Sequence, residues 1–153
     1  MSELRELYQE VVIDHGRHPR NFGALQEANC HKEGFNPLCG DKIVLHIQEK
    51  NSVIQQLRFE GSGCAISMAS ASLMTEMLKG KTLSETDELF SAFHQLITES
   101  EHSKTLLEKL GKLAVLGGVY EFPARVKCAT LAWHTLKAAL SNDISPVSTE
   151  EKI

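Results

Sequence analysis

The sequence predicts an α+β protein, and two observations carry that reading. Residues 42–49 and 53–59 alternate apolar and polar side chains on either side of a short turn, which is the pattern of a β-hairpin. The segments before and after that hairpin instead repeat their apolar residues at helical spacing. Strands grouped in one run, with helices in others, define the class. A length of 153 residues suits one domain with a real core. The net charge of -4, with no basic run, gives no support to a nucleic-acid partner. No apolar stretch is long enough to span a bilayer. The opening Met1-Ser2-Glu3-Leu4-Arg5-Glu6 lacks the apolar region of a signal peptide. The expected setting is the cytoplasm, where four cysteines point to metal binding or catalysis more than to disulfides.

The elements follow in order. Leu4, Leu7, Tyr8, Val11 and Val12 mark an amphipathic helix over residues 3–14, ending near Asp14-His15-Gly16. His18-Pro19-Arg20-Asn21-Phe22-Gly23 reads as an extended loop, and His15 and His18 as solvated loop histidines. Asn36-Pro37-Leu38-Cys39-Gly40-Asp41 is a turn in which Gly40 lets the chain bend, so that Cys39 and Asp41 face one point. In the hairpin, Ile43, Leu45 and Ile47 oppose Val44, His46 and Gln48, which puts His46 on the wetter face. Lys50-Asn51-Ser52 makes the connection to Val53–Phe59. A helix then runs over residues 65–78, with Ile66, Ala69, Leu73 and Met77 at helical spacing. Thr86-Asp87-Glu88 reads as the start of a further helix carrying Leu89, Phe90, Phe93, Leu96 and Ile97. Ser103 precedes another, with Leu106, Leu107 and Leu110. Cys128 is placed at the start, or in the first turn, of a last helix that continues through Leu131, Ala132 and Leu136. Trp133 reads as packing, and His94 and His102 as exposed. The domain is expected to span residues 1–140, with a polar, disordered tail over 141–153.

The chain is organised around Gly61-Ser62-Gly63-Cys64-Ala65, a strand-to-helix junction. Cys64 stands at the helix start, where unpaired N–H groups and the positive end of the dipole favour thiolate. Cys39 and Asp41 lie just before the first hairpin strand and Cys64 just after the second, so antiparallel pairing makes them neighbours. With Cys128 they form a candidate tetrahedral set of three thiolates and one carboxylate, which zinc accepts. Arg125 and Lys127 stand close in sequence to Cys128 and offer offsetting charge; solvated cations are the plainer reading. Cys30 reads as an ordinary half-buried thiol.

The motifs N-P-L-C-G-D, G-S-G-C-A-I-S-M-A-S-A-S and P-A-R-V-K-C-A-T-L-A-W occur in that order. With the early L-Y-Q-E-V-V-I-D-H-G-R-H-P-R-N-F-G, they resemble the IscU/NifU-N family of iron–sulfur cluster assembly proteins, and more narrowly its SufU branch. The resemblance runs from about residue 7 to about residue 140. It implies a small antiparallel β-sheet with helices packed on one face. It also implies zinc held by Cys39, Asp41, Cys64 and Cys128. The implied partner is a PLP-dependent cysteine desulfurase of SufS type, which passes persulfide sulfur to Cys39 after one of its histidines displaces Cys39 from zinc. Cluster assembly machinery lies downstream. Arg125 would stabilise the negative charge of the freed thiolate or persulfide.

Three functional classes follow: a zinc-dependent sulfurtransferase, a scaffold carrying a transient iron–sulfur cluster on the same ligands, and a domain closed by purely structural zinc. IscU-type scaffolds carry a histidine immediately before the last cysteine, where this chain has Lys127. The segment between Cys64 and Cys128 is also longer here than in those scaffolds. Both departures point toward the SufU branch.

Overall fold

The computed structural model describes residues 2–141 and 147–149. Helix α1 (Ser2–Arg17) leads into strand β1 (Cys30–Asn36), then the hairpin β2 (Asp41–Lys50) and β3 (Val53–Ser62). Helices α2 (Ala65–Leu78), α3 (Leu83–Thr98) and α4 (Lys104–Leu110) follow. A 3-10 segment (Gly111–Glu121), helix α5 (Pro123–Leu140) and strand β4 (Val147–Ser148) complete the order.

The sheet runs β3-β2-β1-β4, with β1, β2 and β3 antiparallel and β4 parallel to β1. Asn51 and Ser52 both adopt positive φ, at 55° and 61°, which gives a two-residue turn whose twist matches the flanking strands. Ile43, Leu45 and Ile47 of β2 point to one side with Leu57 and Phe59 of β3, all buried. Helices α2 and α5 cover that side, bringing Leu73, Met74, Leu131 and Leu136 into the same core. Trp133 of α5 stacks on Phe93 of α3 with ring centroids 4.7 Å apart, which ties the outer helices to the sheet layer. The α+β class, the hairpin and the helices on one face are as the sequence predicts.

Strand β1 has no counterpart in the sequence reading. Its segment, Cys-His-Lys-Glu-Gly-Phe-Asn, has neither an apolar run nor β-branched residues. It is held as a strand by its ladder to β2 and by α5, which approaches it through Gly34. A Cβ at that position would stand 2.0 Å from Thr135 Oγ1. The start of α3 also differs. Thr82 caps the helix in a reciprocal box with Glu85, four residues ahead of the expected start at Thr86. The tail expected to be disordered from residue 141 contributes β4, and Thr149 beside it is fully buried. Residues 142–146 and 150–153 lie outside the described residues.

His15 is no solvated loop residue: α1 continues through Arg17, and His15 is buried against α2. Its Nδ1 meets Ser72 Oγ at 2.7 Å, and the same hydroxyl accepts the Arg20 N–H at 2.8 Å. Burial is the main cause that pushes the imidazole below its ordinary value of 6.5, with the Arg20 charge next. The unfolded chain therefore binds this proton more readily than the folded one. Stability is whole above pH 6.5 and declines as pH falls through that value. The urea midpoint should be lower at about pH 5.5 than at about pH 7.5, and His15→Gln should reduce that difference.

Candidate metal centre

The site is assembled from four separate elements. Asn36 ends β1 and faces Asp41, the first residue of β2, across the ladder. The turn between them carries Leu38, Cys39 and Gly40, whose φ of +71° suits glycine and turns Cys39 back toward the strand ends. The β2–β3 register pairs Lys42 with Ser62 and so brings Gly63 and Cys64 beside Asp41. Helix α5, lying across β1, delivers Cys128.

Asp41 is 2% exposed, and its carboxylate is well supplied with donors. Oδ1 accepts the Cys64 N–H at 2.8 Å, and Oδ2 accepts the Asn36 amide at 3.0 Å. The first of these donors is the N-cap residue of α2, so the carboxylate also sits at the positive end of that helix. The Asn36 amide bonds Cys128 Sγ as well, at 3.3 Å. Its own carbonyl oxygen accepts the Thr149 hydroxyl at 3.1 Å. Cys128 Sγ lies 3.3 Å from Cys39 Sγ. One donor atom each from Cys39, Asp41 and Cys128 lie within 4.8 Å of one another. Cys64 Sγ stands 3.9 Å from Asp41 Oδ2 and accepts the Ser67 N–H at 3.4 Å, at the edge of this tighter trio.

Burial, followed by the neighbouring Cys39, Cys64 and Asp41 side chains, pushes the Cys128 thiol far above its ordinary range. Such a cysteine keeps its proton unless a cation replaces it, and a bound metal does so. The donor set thus fits a divalent ion that takes sulfur and oxygen: a thiol pair in contact, a buried carboxylate and a further sulfur at hand.

The expected placement of Cys128 in the first helical turn is corrected: α5 begins at Pro123, so Cys128 lies past its first turn, away from the helix terminus. Cys64 is the N-cap itself. Arg125 does not reach the sulfurs; its guanidinium lies over the Phe122 ring, 4.4 Å from the centroid. Lys127 lies beside Cys128, half-buried. Cys30 is remote, its thiol donating to the Ala139 carbonyl at 3.4 Å and held protonated by burial. Asn36 and Thr149 are the residues missed by sequence reasoning. The only signal for Asn36 was its place at the head of the N-P-L-C-G-D run, and nothing in the sequence marked Thr149.

A buried carboxylate and thiols gather at the ends of an antiparallel sheet, under a helical layer, as a group that could hold a metal ion in an α+β domain. The profile of the NifU-like N terminal domain matches residues 7–143. The chain is 37% identical over 142 residues to the zinc-dependent sulfurtransferase SufU of Bacillus subtilis (strain 168), covering 93% of this chain and 95% of that one. It is 38% identical over 140 residues to the iron–sulfur cluster assembly scaffold protein IscU of Streptococcus pyogenes serotype M1, covering 92% and 86%. A crystal structure from Fervidobacterium islandicum AW-1, assigned as a cluster assembly scaffold protein for the SUF system, superposes with a TM-score of 0.79. That pair is 33% identical, over 89% of this chain and 98% of the other. The chain belongs to the family of NifU-like N-terminal domains, as the motif resemblance implied.

Gly63 is the tightest point of the site: a Cβ there would stand 2.3 Å from Asp41 Oδ1. Gly63→Ala should therefore destabilise the protein by roughly 1–3 kcal/mol in urea denaturation, because it displaces a buried carboxylate. Gly118→Ala, where a Cβ meets nothing within 4 Å, is the control expected to leave the midpoint much less changed.

Proposed function

We propose that the chain is a zinc-dependent sulfurtransferase of iron–sulfur cluster assembly, taking sulfur on Cys39 from a PLP-dependent cysteine desulfurase of SufS type. The observation that carries this reading is the asymmetry of the donor set. Asp41 and Cys128 are each 2% exposed, whereas Cys39 stands exposed on its turn beside Leu38, itself 60% exposed. A purely structural site gains nothing from leaving a reactive donor exposed. Here the Cys39 sulfur is open to a partner, that of Cys64 is half-buried and that of Cys128 is buried. The relative from Bacillus subtilis, with its matching length, supports the same reading.

Cys39, Asp41, Cys64 and Cys128 would hold the zinc. Bound zinc supplies a charge that keeps thiolate donors deprotonated at neutral pH. The chain's own residues do the rest. Asn36 steadies Asp41 and Cys128 through one amide group, and the Cys64 N–H fixes the carboxylate. In the transfer, the Cys39 thiolate attacks the outer sulfur of a cysteine persulfide on the desulfurase. A new S–S bond forms on Cys39 as the partner's S–S bond breaks, and the electron pair leaves on the partner's cysteine thiolate. Arg125, exposed on the first turn of α5, offers a cation to the resulting persulfide by swinging off Phe122. The persulfide then passes to the cluster assembly machinery.

The scaffold reading draws on the IscU relative, and Lys127 weighs against it. A lysine ammonium has no lone pair to give a metal, unlike the histidine that the scaffold pattern implies at this place.

Incubation with the desulfurase and cysteine should place one extra sulfur on Cys39, located by peptide mass spectrometry. Cys39→Ser should abolish the transfer while leaving the fold intact, as read by circular dichroism. Sulfur found on Cys30, or stimulation of the desulfurase by Cys39→Ser, would reject the proposal. After anaerobic treatment with iron and sulfide, the parent should hold only a weak, short-lived visible absorbance, and Lys127→His should retain it longer. A stable cluster delivered intact to an acceptor by the parent would favour the scaffold instead.

A further inference from the structure

The face of the sheet turned away from the helices carries a second group of metal-ligating side chains, unconnected with the cysteines. His31 of β1, His46 of β2 and Arg58 of β3 are in register across three strands. The two imidazoles meet edge to face, with their Nδ1 atoms 2.7 Å apart. On its other side, His46 Nε2 lies 2.7 Å from Glu60 Oε1. His46 is only 8% exposed, although the alternation of β2 places it on the wetter face. It lies on that face as alternation predicts, and His31, Arg58 and Glu60 cover it there.

With both rings neutral, the hydrogen-bond chain assigns the tautomers. A carboxylate only accepts, so the His46 Nε2–H donates to Glu60 and His46 Nδ1 presents a lone pair. His31 Nδ1–H then donates into that lone pair. We propose that His31 and His46 form a second metal site, which binds a divalent late transition ion such as zinc through their facing Nδ1 atoms, with Glu60 as the carboxylate that orients His46.

Three features support it. The carboxylate–histidine pairing seen at His46 is the usual outer partner of a metal-bound imidazole, and it leaves the ligating nitrogen bare. The spacing is close to what an ion needs. At zinc–nitrogen lengths of about 2.0–2.1 Å in tetrahedral geometry, two ligand nitrogens stand about 3.3 Å apart. The pair must open by only about 0.6 Å, and the exposed His31 is free to yield while Glu60 holds its neighbour. Finally, the cation in register with His46 is drawn aside: the Arg58 guanidinium donates to the Ala24 carbonyl at 3.3 Å. On binding, His31 passes to the Nε2–H tautomer, where water can accept the proton, and no net proton is released. Water completes the coordination, so the ion is exchangeable, and the imidazole donors favour zinc, nickel or copper over calcium or magnesium.

Zinc titration of the full chain, followed by two-dimensional nitrogen-15 NMR of the imidazoles, tests this. Zinc should move the Nδ1 resonances of His31 and His46 together and turn His31 into its Nε2–H tautomer. Glu60→Gln should weaken that response about 10–100-fold, as loss of an outer partner does. His31→Gln, at an exposed position, should abolish it at His46 without loss of fold. Unmoved Nδ1 resonances at millimolar zinc would overturn the proposal, and so would an undiminished His46 response in His31→Gln or in Glu60→Gln. Because the readout follows imidazoles alone, a filled or empty cysteine site leaves it unaltered.

Discussion

The carboxylate of Asp41 is the point on which the site end of the molecule depends. A buried charge is tolerated only when it is paired or fully hydrogen-bonded. Here two donors come from different directions, and one of them also reaches a third element. The Cys64 N–H arrives from the start of α2, the Asn36 amide from the end of β1, and the Cys128 sulfur lies across the same amide on α5. Satisfying one carboxylate therefore fixes two strands against the start of α2, and the Asn36 amide carries the tie on to α5. Gly63 permits the close pass, since a side chain there would occupy the space of the carboxylate itself.

That lock stands on a rigid base. Helix α2 is buried on nearly all sides, including Ser67, Ser70, Ser72 and Thr75. Such polar residues are costly inside a core unless they are partnered. Ser70 donates to the Ala129 carbonyl at 2.6 Å, and Ser72 receives both the Arg20 N–H and His15. Thr75 donates back to the Ser72 carbonyl at 2.7 Å. These contacts pin α2 to α1 and α5 while the sheet closes from below. Against this fixed frame Cys39 sits on an exposed turn, apart from the buried Asp41 and Cys128.

The histidines show where pattern reading fails. His15 reads as a solvated loop residue and His46 as a residue of the wetter sheet face, yet both are buried, His46 on the face that alternation gives it. In each case the cover comes from elements distant in sequence: Ser72 and Glu76 of α2 for His15, His31 and Glu60 of neighbouring strands for His46. The Trp133 reading succeeded because a large apolar ring has only one favourable place, the core, whatever surrounds it.

By itself, the sequence determined the elements whose signal is local: the hairpin through its alternation, α2 through its apolar spacing, and the Gly40 bend between Cys39 and Asp41. It also determined the meeting of Asp41 and Cys64, because antiparallel pairing of adjacent strands brings their outer ends together whatever the rest of the chain does. Only the tertiary structure decided the rest. Strand β1 is polar and gains its extended form from β2 and α5. The Cys128 sulfur reaches Cys39 because Gly34 lets α5 lie against that strand. Thr149 joins the Asn36 amide from the far end of the chain. These contacts join residues roughly a hundred positions apart through packing, and packing has no period that a linear sequence can display.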